Sequence, residues 1–411
     1  MSGARGLATA VRIAARDERP WLLALPVAVG AVAALLAPNY ASTYGGALAG
    51  TSALCAATAV LVAQLVPTAP AARGAGALVL AVAWAGYGVR VAHGSAWATP
   101  WGALSPFALR PAVGAGAGDD LVPLAVAAAG TVLLGTAGAL AARRRDLGSG
   151  LVGLPRRRRR PLRVGGPLGL TVRLALSSAA AWALATAGVS GLLVAMGRGV
   201  VDMARRGGVD GGSLGAVLGG GDPGLGFLRY VGVLAGALAA VEAVVLVCRY
   251  AADERGGRLE LERAAGAPPA RILGSAWATA VGASGLSLVL SAAVAGAVGH
   301  HELGTAWADA VRLFLGQVPA AAAAAGVAAL LCAIRPRYAP LAWLPVLGAL
   351  GVAQLGATLD LPDDVLRNAP LAQAGRAGSV WLVALSVLGA VLGAVVVRRR
   401  DLVPGSVSGG V

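Results

Sequence analysis

The stretch that decides the fold runs from 227 to 298 and reads FLRYVGVLAGALAAVEAVVLVC (227–248), RYAADERGGRLELERAAGAPPAR (249–271) and ILGSAWATAVGASGLSLVLSAAVAGAV (272–298). The two outer pieces are apolar runs, each long enough as a helix to cross the roughly 30 Å of hydrocarbon in a bilayer. The middle piece holds nine charges, five arginines and four acids. A plain connector between two membrane helices needs only a turn and a few arginines. This density of both signs marks a segment built to bind a partner.

The composition around this stretch is consistent with a membrane protein. The 411 residues are 57% hydrophobic and only 13% charged, with a mean hydropathy of +0.74. A soluble domain of this length needs a more polar surface, whereas repeated apolar runs of about 20 residues define a polytopic helical membrane protein. Long uninterrupted runs also exclude a β-barrel, whose strands are short and alternating. All 34 basic residues are arginine. The phosphate-binding loop G-x-x-x-x-G-K-[ST] needs a lysine, so no nucleotide-hydrolysing P-loop domain is present. Cys55, Cys248 and Cys332 fall inside apolar runs and read as buried helix residues, not disulfides or metal ligands.

Ten spans are expected: 20–37, 47–66, 75–93, 121–141, 173–196, 227–248, 272–298, 309–333, 339–358 and 379–397. The first follows four arginines but is too long for a signal-peptide core and reads as uncleaved. The positive-inside rule tests the count. With both termini cytoplasmic, the inner loops collect 25 of the 34 arginines, while most acids fall outside. The run Arg156–Arg160, with Arg143–Arg145 upstream, reads as a topology signal meeting anionic lipid, not as a nucleic-acid site. An internal echo is visible. Arg143-Arg144-Arg145-Asp146-Leu147 follows the fourth span and Arg398-Arg399-Arg400-Asp401-Leu402 the tenth. Each is preceded by a proline-bearing loop, Leu104-Ser105-Pro106-Phe107 or Asn368-Ala369-Pro370-Leu371. The expected architecture is an all-α polytopic membrane protein of about ten transmembrane helices in two unequal repeats. Four spans lie in 1–150 and six in 173–411, joined by an arginine-rich cytoplasmic linker at 151–172.

Chemistry inside the spans is sparse. Glu242 is the one acid in the interior of a span. Charge at that depth is costly, so such residues face a bundle interior, as a proton or substrate contact or as a carboxyl paired with a neighbouring helix. Gly282-Ala283-Ser284-Gly285 has the G-x-S-G form of an intramembrane serine protease, but His93, His300 and His301 all lie near outer span ends. Without a histidine base at the right depth, the patch reads as small-residue helix packing. His300-His301-Glu302 is a poor metal ligand set and reads as a solvated loop. Pro26, Pro123, Pro319 and Pro345 fall within spans and are expected to kink them, and 207–226 reads as a flexible glycine-rich loop.

In the charged segment, Arg249 with Asp253 and Glu254 with Arg258 stand at i,i+4, the spacing of helical ion pairs. Gly256-Gly257 breaks the middle, and Pro268-Pro269 ends any helix before the next span. Leu259 and Leu261 form no clean helical stripe. A short cytoplasmic helix along the membrane, offering both signs of charge, is the expected form.

These residues resemble a known family. Asp253-Glu254-Arg255-Gly256-Gly257-Arg258-Leu259-Glu260, then Ala264-Ala265-Gly266-Ala267-Pro268 and Arg271, are similar to the E-E-x-x-G-R-x-E-L-L-L-A-x-P-V-S-R signature of type 2 ABC exporter permeases. The fused two-repeat permeases of actinobacterial polyketide-antibiotic and multidrug exporters are the nearest type. Arg144 to Gly150, the Leu104–Phe107 motif and the stretch from Leu361-Pro362 to Pro370 fit as well. The resemblance implies a plasma-membrane permease that binds no cofactor itself and draws on ATP through a separate ABC ATPase, in two copies. Arg249, Asp253, Glu254, Gly257, Arg258, Glu260 and Arg271 would form the ATPase-coupling segment. The chain departs from the family's six spans per half. The polar segment has no counterpart in the first half, where only Pro67 to Arg73 stands, and Leu261-Glu262-Arg263 replaces the leucine triplet. A proton-coupled secondary transporter using Glu242, and a non-transporting membrane scaffold or intramembrane enzyme, remain as alternatives.

Overall fold

The computed structural model describes residues 41–66, 69–93, 105–114, 120–143, 165–206, 221–356, 359, 361–373 and 379–400. The expected first span at 20–37, the arginine run 156–160 and the motif at 144–150 lie outside the described residues. Every regular element among the described residues is helical. The chain divides into two compact units, Met1–Arg159 and Arg160–Val411.

In the first unit α1 (Ala41–Leu65) packs along α4 (Val122–Arg143) and against α2 (Ala69–His93). A 3-10 turn, Pro106–Ala108, and the short α3 (Leu109–Val113) precede α4. The turn is held by polar side chains. The Ser105 hydroxyl donates to the Ala83 carbonyl at 2.8 Å, and Thr51 donates to the Pro106 carbonyl at 3.0 Å.

The second unit comprises α5 (Pro167–Arg205), α6 (Pro223–Arg255), α7 (Arg258–Ala264), α8 (Pro269–Glu302), α9 (Trp307–Leu315), α10 (Val318–Ile334), α11 (Trp343–Leu355), α12 (Asp363–Asn368) and α13 (Val380–Arg399). α6 is the central helix, packed against α5, α8, α9, α10 and α11. Its buried positions are chiefly Ala, Gly and Val, with few large side chains. Large apolar residues point outward instead, among them Leu184 at 71% exposure and Leu133 at 69%. That inversion suits a hydrocarbon solvent. Lipid tails are as apolar as leucine, so helices associate through close contact between small residues rather than by withdrawing leucine from water.

The closest approach is between α10 and α13. A Cβ built on Gly326 would lie 2.6 Å from the Ser386 Cα, and one on Gly389 would lie 2.6 Å from the Gly326 carbonyl carbon. At this crossing the Ser386 hydroxyl donates to the Ala322 carbonyl at 2.6 Å and accepts from the Trp277 indole N–H at 3.2 Å. Three helices are thereby tied at one buried serine.

Eight helices among the described residues are long and apolar enough to cross a membrane, and they coincide with eight of the ten expected spans. The run at 75–93 lies in α2, whose apolar part is Gly74–Gly88. Two expectations need correction. Pro123, Pro319 and Pro345 sit in the first turns of α4, α10 and α11, where a missing N–H costs nothing. They start helices and do not kink them. The span expected at 309–333 is present as the stretch Trp307–Ile334, built of two helices, α9 and α10, with Gly316 and Gln317 between them. The end of the glycine-rich segment is also ordered, because the Asp222 carboxylate accepts from the Gly224 N–H at 3.1 Å and starts α6.

Replacing Gly326 with alanine should force α10 and α13 apart and cost about 2 kcal/mol. Gly348 on α11 has open space where a Cβ would go, so Gly348→Ala should be neutral or stabilise by up to about 1 kcal/mol through helix propensity. Thermal unfolding of the two variants in detergent, side by side, checks both outcomes.

Candidate functional site

The charged segment folds as a helical elbow. α6 continues well beyond its apolar part to Arg255, and Gly256 and Gly257 then turn the chain into α7. Gly257 has φ +71° and Gly266, after α7, has φ +85°. Both lie in the left-handed region where a Cβ is strained, which is why this elbow needs glycine at each end. Pro268 is extended and Pro269 is the first residue of α8. The whole excursion between two long helices is one turn, a seven-residue helix and a second turn.

α7 has two faces. Leu259 is buried at 3% exposure, while Leu261 is 73% exposed. This explains why the two leucines make no stripe: they stand on opposite sides of the helix. Arg258, Glu260 and Arg271 are also exposed. Asp253 pairs with Arg258 at 3.0 Å, across the glycine turn. Arg249 donates to the Ser178 hydroxyl on α5 at 2.6 Å.

Glu254 is the clear departure from expectation. Its side chain is wholly buried and pairs with Arg400, just beyond α13, whose own side chain is 18% exposed. Arg400 Nη2 bonds both carboxylate oxygens, the second at 2.6 Å. Its Nη1 donates to the Ile334 carbonyl at the end of α10, at 3.1 Å. Glu254 therefore does not face outward with Arg258 but joins α6 to α10 and α13. Sequence reasoning missed Arg400 in this role. It was visible only as the last arginine of a topology signal, 146 positions from its partner.

Glu242 lies in the interior of the bundle, roughly 20 Å of helix from Arg255 at 1.5 Å per residue. It is fully buried. Its Oε2 accepts from the Ser287 hydroxyl on α8 at 2.6 Å, and its Oε1 has no partner. Ser287 was not singled out from the sequence, yet a signal exists. Ser275, Thr279, Ser287 and Ser291 recur at multiples of four on α8 and are all buried, a polar stripe at helical spacing. The neighbouring Ser284 bonds only the Val281 carbonyl of its own helix, at 3.2 Å. Gly282 and Gly285 face open space, so the expected packing patch lies elsewhere. A Cβ on Gly191 would fall 2.5 Å from Val294 Cγ1, and one on Gly296 would fall 2.7 Å from the Trp307 ring. His300 and His301 belong to the last turn of α8, not to a loop, and Glu302 there pairs with Arg198 at 3.7 Å.

A bundle of long apolar helices with a polar elbow at one end and a carboxyl held in its interior defines a multi-pass membrane protein. Residues 164–398 match the family described as the multidrug efflux system permease Rv1217c, C-terminal domain. The chain is also 28% identical over 399 residues to the multidrug efflux system permease protein Rv1217c of Mycobacterium tuberculosis, an alignment covering 92% of this chain and 71% of that protein. The chain belongs to this family of efflux-system permeases, which agrees with the ABC-exporter permease resemblance of its elbow.

Removing one partner of the buried ion pair leaves an uncompensated charge, so Arg400→Met should cost about 3–5 kcal/mol. The double variant Arg400→Met, Glu254→Leu should recover most of that loss, read as the unfolding midpoint in detergent. Ser287→Ala removes the donor to Glu242 and should cost about 1–3 kcal/mol by the same measurement.

Proposed function

We propose that this chain is the transmembrane permease subunit of an ATP-driven exporter of drugs or other hydrophobic compounds. It would sit in the plasma membrane with both termini cytoplasmic. A separate ABC ATPase, in two copies, docks on the outward face of α7. The observation that carries this reading is the two-sidedness of α7. One face offers Arg258, Glu260 and Leu261 to a partner, and the other buries Leu259 within the bundle. The sequence holds no phosphate-binding lysine, so ATP-driven transport by this chain would draw on a second protein. The relative named above is called an efflux-system permease, which favours export over uptake.

The elbow is suited to transmission. α7 is joined by single turns to α6 and α8, two helices of 33 and 34 residues that traverse the bundle. A push on α7 therefore reaches both without a flexible intermediate. The Glu254–Arg400 pair extends the same push to α10 and α13. In this scheme Arg258, Glu260 and Arg271 make the docking contacts. Arg249, Asp253, Glu254 and Gly257 hold the elbow's shape. A second reading rests on Glu242, whose unpartnered oxygen would suit a proton carrier in a secondary transporter.

Glu260→Arg should abolish recovery of the ATPase in affinity purification while leaving membrane insertion intact. Undiminished recovery removes α7 as the docking site, and a wild-type chain that recovers no ATPase even after mild crosslinking overturns the exporter reading. If Glu242→Gln abolishes transport and ATP depletion does not, the proton-driven reading replaces it.

A further inference from the structure

Between the inner face of α7 and helices α5, α6 and α8 lies a cleft of about 70 Å³. Its lining is mixed: Leu174, Leu246, Leu259 and Ile272 supply alkyl walls, Thr171 and Tyr250 add polar groups, and its charged lining includes Asp253 and Glu262. Arg258 neutralises Asp253. Glu262 is half-buried and has no cation within ion-pair distance among the described residues. Burial, and then the nearby Asp253 carboxylate, raise its carboxyl above the usual range. Arg249 also lines the cleft, but its guanidinium is turned onto Ser178.

A second observation is independent of this acid. Thr279 lines the same cleft at 8% exposure, and its hydroxyl oxygen has no hydrogen-bond partner. Buried polar atoms are nearly always bonded, so this enclosed hydroxyl beside the cleft, one of several such orphans among the described residues, calls for a partner. An unpaired acid and an orphan hydroxyl among alkyl walls together fit one chemistry: a protonated amine on an apolar arm. The ammonium group supplies the missing charge to Glu262 and a donor to Thr279, and the arm lies against the leucines. A volume of about 70 Å³ admits such an arm and not a whole drug-sized body, whose pockets run to roughly 300 Å³ and more.

Resting on the exporter reading above, we infer that this cleft is the intake site of the permease and that it selects amphipathic amines, with Glu262 and Thr279 holding the ammonium group. The placement links recognition to drive. Leu259 and Glu262 are cleft residues on the helix whose other face docks the ATPase, so movement of α7 alters the cleft directly.

The test uses the full chain in lipid nanodiscs, without any ATPase. Its probes are dansylcadaverine, a fluorescent alkyl primary amine, and the same compound N-acetylated on that amine. The amine should bind saturably and at least tenfold more tightly than the acetylated form. Glu262→Gln and Thr279→Val should each weaken amine binding about tenfold. Glu262→Asp, which keeps the charge, should restore most of it and guard against a folding artefact. Asp364→Asn, at the opposite end of the bundle, should bind as wild type. Equal binding of the two probes, absence of saturable binding, or an unchanged affinity in folded Glu262→Gln overturns the inference. Because no ATPase is present, these results bear on substrate class alone. A chain that recruits its ATPase but binds both probes alike keeps the exporter reading and loses this one.

Discussion

A glutamate placed at the end of a transmembrane bundle and sealed from water must be met by a positive charge, and Glu254 is met by Arg400. Much of the second unit depends on this constraint. The pair closes a circuit in which the end of α6, the end of α10 and the residue after α13 share one guanidinium. Burying two ions brings no certain gain in stability, but leaving either alone is severely unfavourable. The value of such a pair is therefore registry: it allows one alignment of three helix ends and penalises others. The turn into α7 begins two residues beyond Glu254, so the position of the partner-facing helix follows from where that guanidinium sits.

Packing across the rest of the bundle obeys a different rule. In lipid there is little to gain by hiding leucine, and the helices meet where side chains are smallest. Gly326 and Gly389 bring α10 and α13 into backbone contact, while Gly191, Gly197 and Gly296 receive Val294, Phe227 and Trp307. Polar side chains then fix the register of these smooth surfaces. Ser386 ties α10, α13 and α8, and Gln317 reaches the Leu371 carbonyl at 3.0 Å from the break between α9 and α10. A related device holds the first unit, where Thr51 and Ser105 secure the proline-led turn before α4. In each unit a 3-10 turn opening on a proline stands ahead of the last long helix.

The elbow shows why a site can be recognised and still be misread. Its glycine and proline boundaries were legible, because a left-handed turn and a helix start each demand a residue type. Its charges were not, since helical spacing paired Glu254 with Arg258. That spacing presumes an unbroken helix. The chain bends at Gly256 and Gly257, sending Arg258 to Asp253 and leaving Glu254 on the inner side. Glu242 stands out as an intramembrane acid, whereas Ser287 is marked only by its place in the four-residue polar spacing of α8, which does not say which helix faces it.

From the sequence alone, the all-helical membrane fold was determined, along with most span positions and the place of the polar elbow. These follow from local quantities: run length, hydrophobicity and the backbone demands of glycine and proline. Tertiary structure alone decided which charges face inward, which glycines are contact points and where polar atoms are left unpartnered. Those properties depend on which helix lies beside which. A sequence with apolar residues on every side of its helices carries no stripe to announce its neighbours.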